Sequence, residues 1–178
     1  MDFEVRAPRE DEALAWEKLR IVSWRKAYAH DFTADTFAQQ EAQVPVRAAA
    51  FAEWLASTAN TGQDVQNQLG QRRKALVAVR SDGGNSLDMP EVGPLLGLAF
   101  ATCMPYETQK LEMLYLLPEA FGMGVAHALL EGVLADGPAE LEVLTTNVRA
   151  IRFYEKEGFT IASTDEFAGR KTYIMKRA

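Results

Sequence analysis

The stretch LYLLPEAFGMGVAHALLEGVL, residues 114–134, joins an apolar run to a proline, two closely spaced glycines and an apparent helix. Glycines let the backbone turn tightly, so successive N–H groups can converge on one anion. The helix that follows adds unpaired N–H groups and the positive end of its dipole. Because no Lys or Arg lies between Glu112 and Ala139, the sequence predicts an anion site made of main chain.

Two other interpretations of this turn stay open from the residues alone. Gly122 and Gly124 are also suited to an ordinary strand-to-helix connection. A dinucleotide site is the third interpretation, since GMGVAH begins like Gly-x-Gly-x-x-Gly. His127 stands where that pattern has its third glycine, and Glu142 lies within a strand pattern rather than at its end.

The composition is that of one ordinary globular domain. The chain has 178 residues, of which 48% are hydrophobic and 25% are charged, and this suffices for a single core. One cysteine excludes an internal disulfide, and with two histidines the chain offers no transition-metal cluster, so we expect no metal. The net charge of −6 argues against nucleic-acid or anionic-membrane partners, which are bound by clustered Lys and Arg.

The hydrophobic segments are too short to cross a bilayer. The longest, around residues 93–104, is about half the length of a transmembrane helix. The N-terminal residues have no basic lead followed by an apolar run. We therefore predict a cytoplasmic protein with no membrane contact.

Alternating strand-like and helical segments predict one α+β domain over residues 1–178 with a mixed sheet. Residues 60–73 and 81–94 are polar or rich in turn formers, and they predict a loop and a hairpin connection. The predicted strands are 3–8, 74–80, 95–104, 110–117, 139–146 and two runs within 159–177. The predicted helices begin near residue 10, fill most of 34–59, and cover 124–136 and about 147–157.

Two segments resemble consecutive motifs of the GNAT N-acetyltransferase superfamily. Residues 114–130 resemble its acyl-CoA-binding segment, a strand and a proline followed by Arg or Gln, x, x, Gly, x, Gly or Ala at a helix start. NVRAIRFYEKEGF, residues 147–159, resembles the next segment. The likeness is close over 110–159 and loose elsewhere, where SWRKAYAH, residues 23–30, is similar to a stretch of bacterial members.

This resemblance implies a fold and an activity. The fold would be a mixed, mostly antiparallel sheet of six to seven strands flanked by helices. The activity would be transfer of an acetyl group from acetyl-CoA to a primary amine, directly and within a ternary complex, by a chain that pairs as a homodimer in many members. A non-catalytic acyl-CoA-binding module stays open, because Phe121 and Met123 replace residues that are often Gln, Arg or basic in the family.

The resemblance also implies which residues touch the cofactor. The pyrophosphate would lie on the amides of the glycine turn, and the pantetheine arm would run along strand 110–117. Arg149 or Arg152 would supply the charge that the turn lacks, and His127 is a further phosphate donor to consider. The implied cofactor contacts are Leu116, Leu117, Phe121, Gly122, Met123, Gly124, Val125, Ala126, Asn147 and Ala150.

Acetyl transfer needs an unprotonated amine, a place for negative charge on the attacked carbonyl, and a proton for the departing thiolate. Tyr154 matches the tyrosine that often donates this proton in the family. Glu112 is a candidate base, because a carboxylate on this strand recurs in the family, although a chain of water molecules is an alternative. Trp24 and Tyr28, four residues apart on the first helix, would form aromatic walls for the acceptor.

Overall fold

The computed structural model describes residues 2–57, 65–66, 72–103 and 108–178. Most of the predicted loop 60–73 and of the turn at 105–108 lies outside these residues. Within them the chain forms eight strands and five α-helices. In order these are β1 (Phe3–Arg6), α1 (Ala13–Tyr28), α2 (Ala34–Ala42), α3 (Val44–Ser57), β2 (Val65–Gln66), β3 (Arg72–Arg80), β4 (Leu95–Cys103), β5 (Gln109–Leu116), α4 (Val125–Val133), β6 (Ala139–Leu144), α5 (Val148–Lys156), β7 (Thr160–Phe167) and β8 (Arg170–Arg177).

The strands form a single mixed sheet. Its order is β1-β3-β4-β5-β6-β8-β7, and the short β2 pairs with β3. All neighbouring strands are antiparallel except β5 and β6, which are parallel because α4 carries the chain back across the sheet. The prediction of a mostly antiparallel, helix-flanked sheet is confirmed. None of the helices described is long and apolar enough to cross a membrane.

Each face of the sheet carries its own apolar cluster, because side chains alternate between the two faces of a strand. On β3, Ala75 and Val77 pack with Trp16 and Leu19 of α1. Leu76 points to the other face, where the cluster includes residues of α4 and α5. The sheet is thus the middle of three layers, and helices cover both of its faces.

A β-bulge interrupts the alternation in β5. Phe100 of β4 pairs with Met113, whereas the next residue, Ala101, pairs with Leu111. Glu112 is therefore an extra residue in β5. A bulge of this kind bends the strand and re-aims a side chain, and here the side chain is a carboxylate in the middle of the sheet.

The strands β5 and β6 separate at the same place. Their parallel pairing covers Gln109 to Leu111 on β5 and ends with Leu111 opposite Leu141. Beyond this pair, β5 continues beside β4 and β6 continues beside β8. The result is a gap in the centre of the sheet, whose first residues on either side are Glu112 and Glu142.

The long β3–β4 connection supports the turn that precedes the glycines. Glu119 accepts hydrogen bonds from the hydroxyl of Ser86 and from the main-chain N–H of Leu87, the latter at 3.1 Å. The N–H of Glu119 in turn donates to a carboxylate oxygen of Asp88 at 3.1 Å. These bonds fix the short 3-10 helix Pro118–Ala120 against the rest of the protein.

Helix α4 lies close to the sheet because Gly132 has no side chain. A Cβ atom at this position would lie 2.7 Å from Cδ1 of Leu76, which is 5% exposed. Real Cβ atoms do not approach other carbon atoms so closely, so a larger residue would have to displace either the buried Leu76 side chain or the helix. The position of the glycine turn, at the start of the same helix, depends on this contact.

We predict that Gly132→Ala lowers the free energy of unfolding by about 1–2 kcal/mol, because the added methyl group overpacks a filled core. Urea denaturation measures this change. Leu76→Val removes the clashing Cδ1 atom, so the double variant should lose less stability than the sum of the two single variants. If the stability losses of the two single variants add up to that of the double variant, the contact between Gly132 and Leu76 does not cause the loss in Gly132→Ala.

Candidate active site

The glycine turn has the backbone conformation that its sequence predicts. Gly122 and Gly124 have φ angles of 75° and 81°, in the left-handed region that favours glycine. Gly124 is the N-cap of α4, and the N–H groups of the first turn that follows have no partner within the helix. The N–H of Phe121 donates to the carbonyl of Pro118 at 3.0 Å, so the amides available to an anion begin at Gly122.

A cavity of about 380 Å³ lies beside this turn. Its walls come from the turn, the first residues of α4, strand β5 and helix α5. Most of the predicted cofactor contacts line it, whereas Leu117 and Met123 do not. The predicted site residues that line it are Tyr28, Glu112, Leu116, Phe121, Gly122, Gly124, Val125, Ala126, Asn147, Ala150 and Tyr154.

Strand β5 presents main-chain groups to the cavity through alternate residues. The N–H of Leu117 donates to the carbonyl of Leu96 on β4 at 2.9 Å, and the side chain of Leu117 is fully buried. Because alternate residues of an antiparallel strand bond to the same neighbour, the polar groups of Leu114 and Leu116 point away from β4 toward the gap. The carbonyl of Leu116 accepts a hydrogen bond from the Ser23 hydroxyl at 3.1 Å.

Asn147 links α5 to α1. Its side-chain oxygen accepts a hydrogen bond from the N–H of Ala150 at 3.2 Å, so Asn147 is the N-cap of α5 rather than a residue within it. Its side-chain nitrogen donates to the Tyr28 hydroxyl at 3.0 Å. Asn147 therefore positions an aromatic side chain of the N-terminal helix over the cavity.

Tyr154 lies in the wall of the cavity on α5. It is 8% exposed and packs against Phe153 and Phe159, with ring centroids 5.3 and 5.9 Å away. Burial is the main cause that raises the pKa of its hydroxyl above the ordinary value. The hydroxyl therefore keeps its proton at neutral and mildly alkaline pH, as a proton donor requires.

Arg149 supplies a positive charge beside the glycine turn. Its guanidinium carbon lies 3.7 Å from the centre of the Phe121 ring, within the range of a cation–π contact. Arg149 lines the cavity, whereas Arg152, one turn further along α5, is exposed and does not. The phenylalanine at the family's Gln or Arg position thus holds an arginine that comes from another element.

His127 bridges α4 and the end of α5. Its Nδ1 lies 2.9 Å from a carboxylate oxygen of Glu157, and its Nε2 lies 3.3 Å from Glu131. The hydrogen bond with Glu157 is the main cause that raises the pKa of His127. Both ring nitrogens therefore face carboxylates, which explains the position of His127 without a role in phosphate binding.

A second cavity of about 310 Å³ lies on the α1 side of the gap. It is lined by both predicted acceptor residues, Trp24 and Tyr28. The two cavities meet, because they share a set of lining residues in and beside the gap. The shared residues are Tyr28, Leu111, Glu112, Tyr115 and Glu142.

The Glu112 carboxylate stands where the two cavities meet. One of its oxygens accepts a hydrogen bond from the Thr102 hydroxyl at 2.9 Å, and the other lies 3.5 Å from the Lys110 ammonium group. Its side chain is 32% exposed. The carboxylate is thus held in place and remains accessible from the cavities.

A family model described as an acetyltransferase (GNAT) domain matches residues 89–161. This range contains the bulged strand, the glycine turn, the gap between β5 and β6, and α5. Residues 89–161 are a GNAT acetyltransferase domain. The family predicted from the two sequence segments is confirmed, and the dinucleotide-binding interpretation of the turn is set aside. No curated protein sequence matches the chain.

Solved structures share the fold over the whole length of the chain. The paiA N-acetyltransferase from Thermoplasma acidophilum, in complex with coenzyme A, has a TM-score of 0.71 at 18% identity, covering 99% of each chain. A GNAT acetyltransferase from Staphylococcus aureus Mu50 has a TM-score of 0.63 at 10% identity, covering 99% of this chain and 98% of the other. The ribosomal-protein-S18-alanine N-acetyltransferase from Escherichia coli has a TM-score of 0.56 at 16% identity, covering 99% and 93%.

The structure adds residues to the GNAT site that the sequence analysis did not select for it. Glu142 was considered only as the acidic residue of a dinucleotide site. The dipeptide Leu-Glu nevertheless stands at the gap on both strands, as Leu111-Glu112 on β5 and as Leu141-Glu142 on β6. Phe32 and Phe167 have no local signal, because the α1–α2 turn and the β7–β8 hairpin meet only in the folded protein. The additional lining residues that matter below are Ser23, Phe32, Lys110, Tyr115, Glu142, Phe167 and Thr172.

We predict that Asn147→Ala lowers the free energy of unfolding of the GNAT domain by about 1–2 kcal/mol, because α5 loses its N-cap. Asn147→Ser is the matched control, since serine caps a helix but is too short to reach the Tyr28 hydroxyl. It should restore most of the stability in urea denaturation. Equal losses for the alanine and serine variants would show that the bond to Tyr28, not the cap, carries the effect.

Proposed function

We propose that the chain, residues 1–178, acts as one acetyltransferase domain that moves an acetyl group from acetyl-CoA to a primary amine. The transfer would be direct and would take place in a ternary complex. The observation that carries this proposal is the meeting of two cavities at the gap between β5 and β6, one beside the glycine turn and one beside α1. A donor and an acceptor bound in these cavities would touch each other at the gap.

The cavity beside the glycine turn suits the donor. In the proposal, the N–H groups from Gly122 onward bind the pyrophosphate, aided by the dipole of α4. Arg149 adds the side-chain charge that the turn lacks. The pantetheine arm follows β5, and the main-chain groups of Leu114 and Leu116 form hydrogen bonds with it.

Two proton transfers accompany the proposed reaction. The thioester supplies an activated acetyl group, whose carbonyl carbon is attacked by the amine nitrogen while the carbon–sulfur bond breaks. Glu112 accepts the proton that the amine loses, either directly or through water. Tyr154 donates its proton to the departing thiolate. The main-chain amides beside the gap stabilise the negative charge that develops on the carbonyl oxygen.

The proposed partners are acetyl-CoA and a small amine or peptide acceptor. A homodimer is proposed from the family resemblance alone. Sedimentation equilibrium would test it, with a single species at the monomer mass as the contradicting result.

Thiol release from acetyl-CoA with a panel of amines tests the proposed activity. Tyr154→Phe should lower kcat by about 100-fold, because the thiolate loses its proton donor, and it should leave the Kd of acetyl-CoA unchanged. Tyr173→Phe is the matched control, since Tyr173 lies on β8 and lines neither cavity.

Unchanged turnover of Tyr154→Phe across the pH range would remove Tyr154 as the acid. Binding of acetyl-CoA without thiol release from any acceptor would favour the non-catalytic binding module instead.

Arg149→Ala should weaken binding of acetyl-CoA about tenfold, because a charged hydrogen bond to phosphate is lost. Acetyl-pantetheine lacks the phosphates in question, so its use as a donor should not change. Arg152→Ala, on the same helix but outside the cavity, is the control for charge. Equal effects of the two arginine variants would contradict a specific role for Arg149.

A further inference from the structure

We infer that the acceptor carries a second positive charge, as a short aliphatic diamine does, and that Glu142 binds this charge. The inference rests on the proposed acetyl transfer, because it concerns the acceptor of that reaction. Four features of the second cavity support it: the position of two glutamates, their different partners, the aromatic walls, and the size of the cavity.

The two glutamates lie on opposite sides of the gap. Leu111 and Leu141, the last paired residues of β5 and β6, both belong to the cluster on the α4 face. Side chains alternate along β6, so Glu142 points to the opposite face, toward α1. The bulge at Glu112 turns this side chain to the same face, where its neighbour Met113 packs with the α1 cluster. The cavity therefore has one carboxylate on each side.

These carboxylates differ in their partners. Glu112 lies beside the ammonium group of Lys110, which offsets part of its negative charge. Glu142 accepts a hydrogen bond of 2.7 Å from the hydroxyl of Thr172, and this threonine is 2% exposed. A hydroxyl orients the carboxylate but does not neutralise it. Glu142 therefore keeps its charge available to a cation in the cavity.

Aromatic rings form the remaining walls. Trp24 and Phe32 are in contact, with ring centroids 4.9 Å apart, and Phe167 completes the wall from the β7–β8 hairpin. Their faces suit the carbon chain of an amine and attract its cationic ends. Aromatic walls and two carboxylates in one cavity are complementary to an aliphatic chain that carries amino groups.

Hydrogen bonds hold in place the α1–α2 turn, which carries Phe32 of the cavity wall. The carbonyl of Asp31, in the α1–α2 turn, accepts a hydrogen bond from the Arg170 guanidinium group. The Asp31 carboxylate accepts another from the Thr146 hydroxyl at 3.1 Å. The turn that carries Phe32 is thereby tied to β8 and to the end of β6.

A cavity of about 310 Å³ is at the lower end of small-molecule sites, which favours a compact acceptor over a long peptide.

The direct test is calorimetric binding to the protein saturated with coenzyme A. The two probes are putrescine, a four-carbon diamine, and n-butylamine, which has the same carbon chain and a single amino group. We expect putrescine to bind about tenfold more tightly, because it forms one more charged contact. Glu142→Gln should remove this advantage, so that the two amines bind to the variant with similar affinity.

Glu140→Gln is the matched control. Glu140 lies on the same strand, pairs with Lys176 at 3.2 Å, and does not line the cavity. This variant removes one negative charge from β6 but should leave the affinity for both amines unchanged. Equal binding of the two amines to the parent protein, or equal effects of the two glutamine variants, would overturn the inference.

Thiol release from acetyl-CoA, measured in separate assays with the same protein variants and the same two amines, separates this inference from the proposed function. Putrescine that binds through Glu142, while neither putrescine nor any amine of the panel causes thiol release, would contradict acetyl transfer and leave the cation site standing. Equal turnover of putrescine and n-butylamine in the parent protein and in Glu142→Gln would support acetyl transfer and overturn the role of Glu142.

Discussion

The separation of β5 from β6 is the constraint on which the rest of the site depends. The two strands pair over only three residues, and the pairing ends at Leu111 and Leu141. A continuous sheet would satisfy its main-chain groups internally and leave no passage from one face to the other. The gap instead leaves polar main-chain groups of β5 available to a ligand and joins the two cavities. Because Glu112 forms the bulge at the same point, a carboxylate faces the junction.

Both helical layers are tied to this gap. On one face, α1 contributes Ser23 to the carbonyl of Leu116 and Tyr28 to the side chain of Asn147. On the other face, α4 starts at the glycine turn and packs closely on β3 through Gly132. The charge that the turn lacks comes from Arg149, which stacks on Phe121. Phe121 stands where the family pattern has Gln or Arg, so the positive charge lies on α5, at Arg149, and not on the glycine turn.

Much of the fold was predictable from local patterns. Alternation and turn residues identified the strands from 74 onward, although residues 72–73, predicted as loop, already belong to β3. The two glycines with positive φ lie where the sequence required them. The two family segments were predictable for the same reason, since each is a short stretch of chain. The predicted role of Leu117 was not compatible with the register, because its amide bonds to β4. A shift of one residue reverses the direction of a main-chain group, and sequence patterns do not resolve such a shift.

The sequence by itself determined the glycine turn, the apolar strands and the family to which residues 89–161 belong. Each of these depends on neighbours in the chain. The tertiary structure alone decided that Glu112 and Glu142 face one cavity, that Arg149 lies on Phe121, and that Phe32 and Phe167 share a wall. These contacts join residues far apart in the chain, and they follow from strand register and helix packing rather than from local conformational preference.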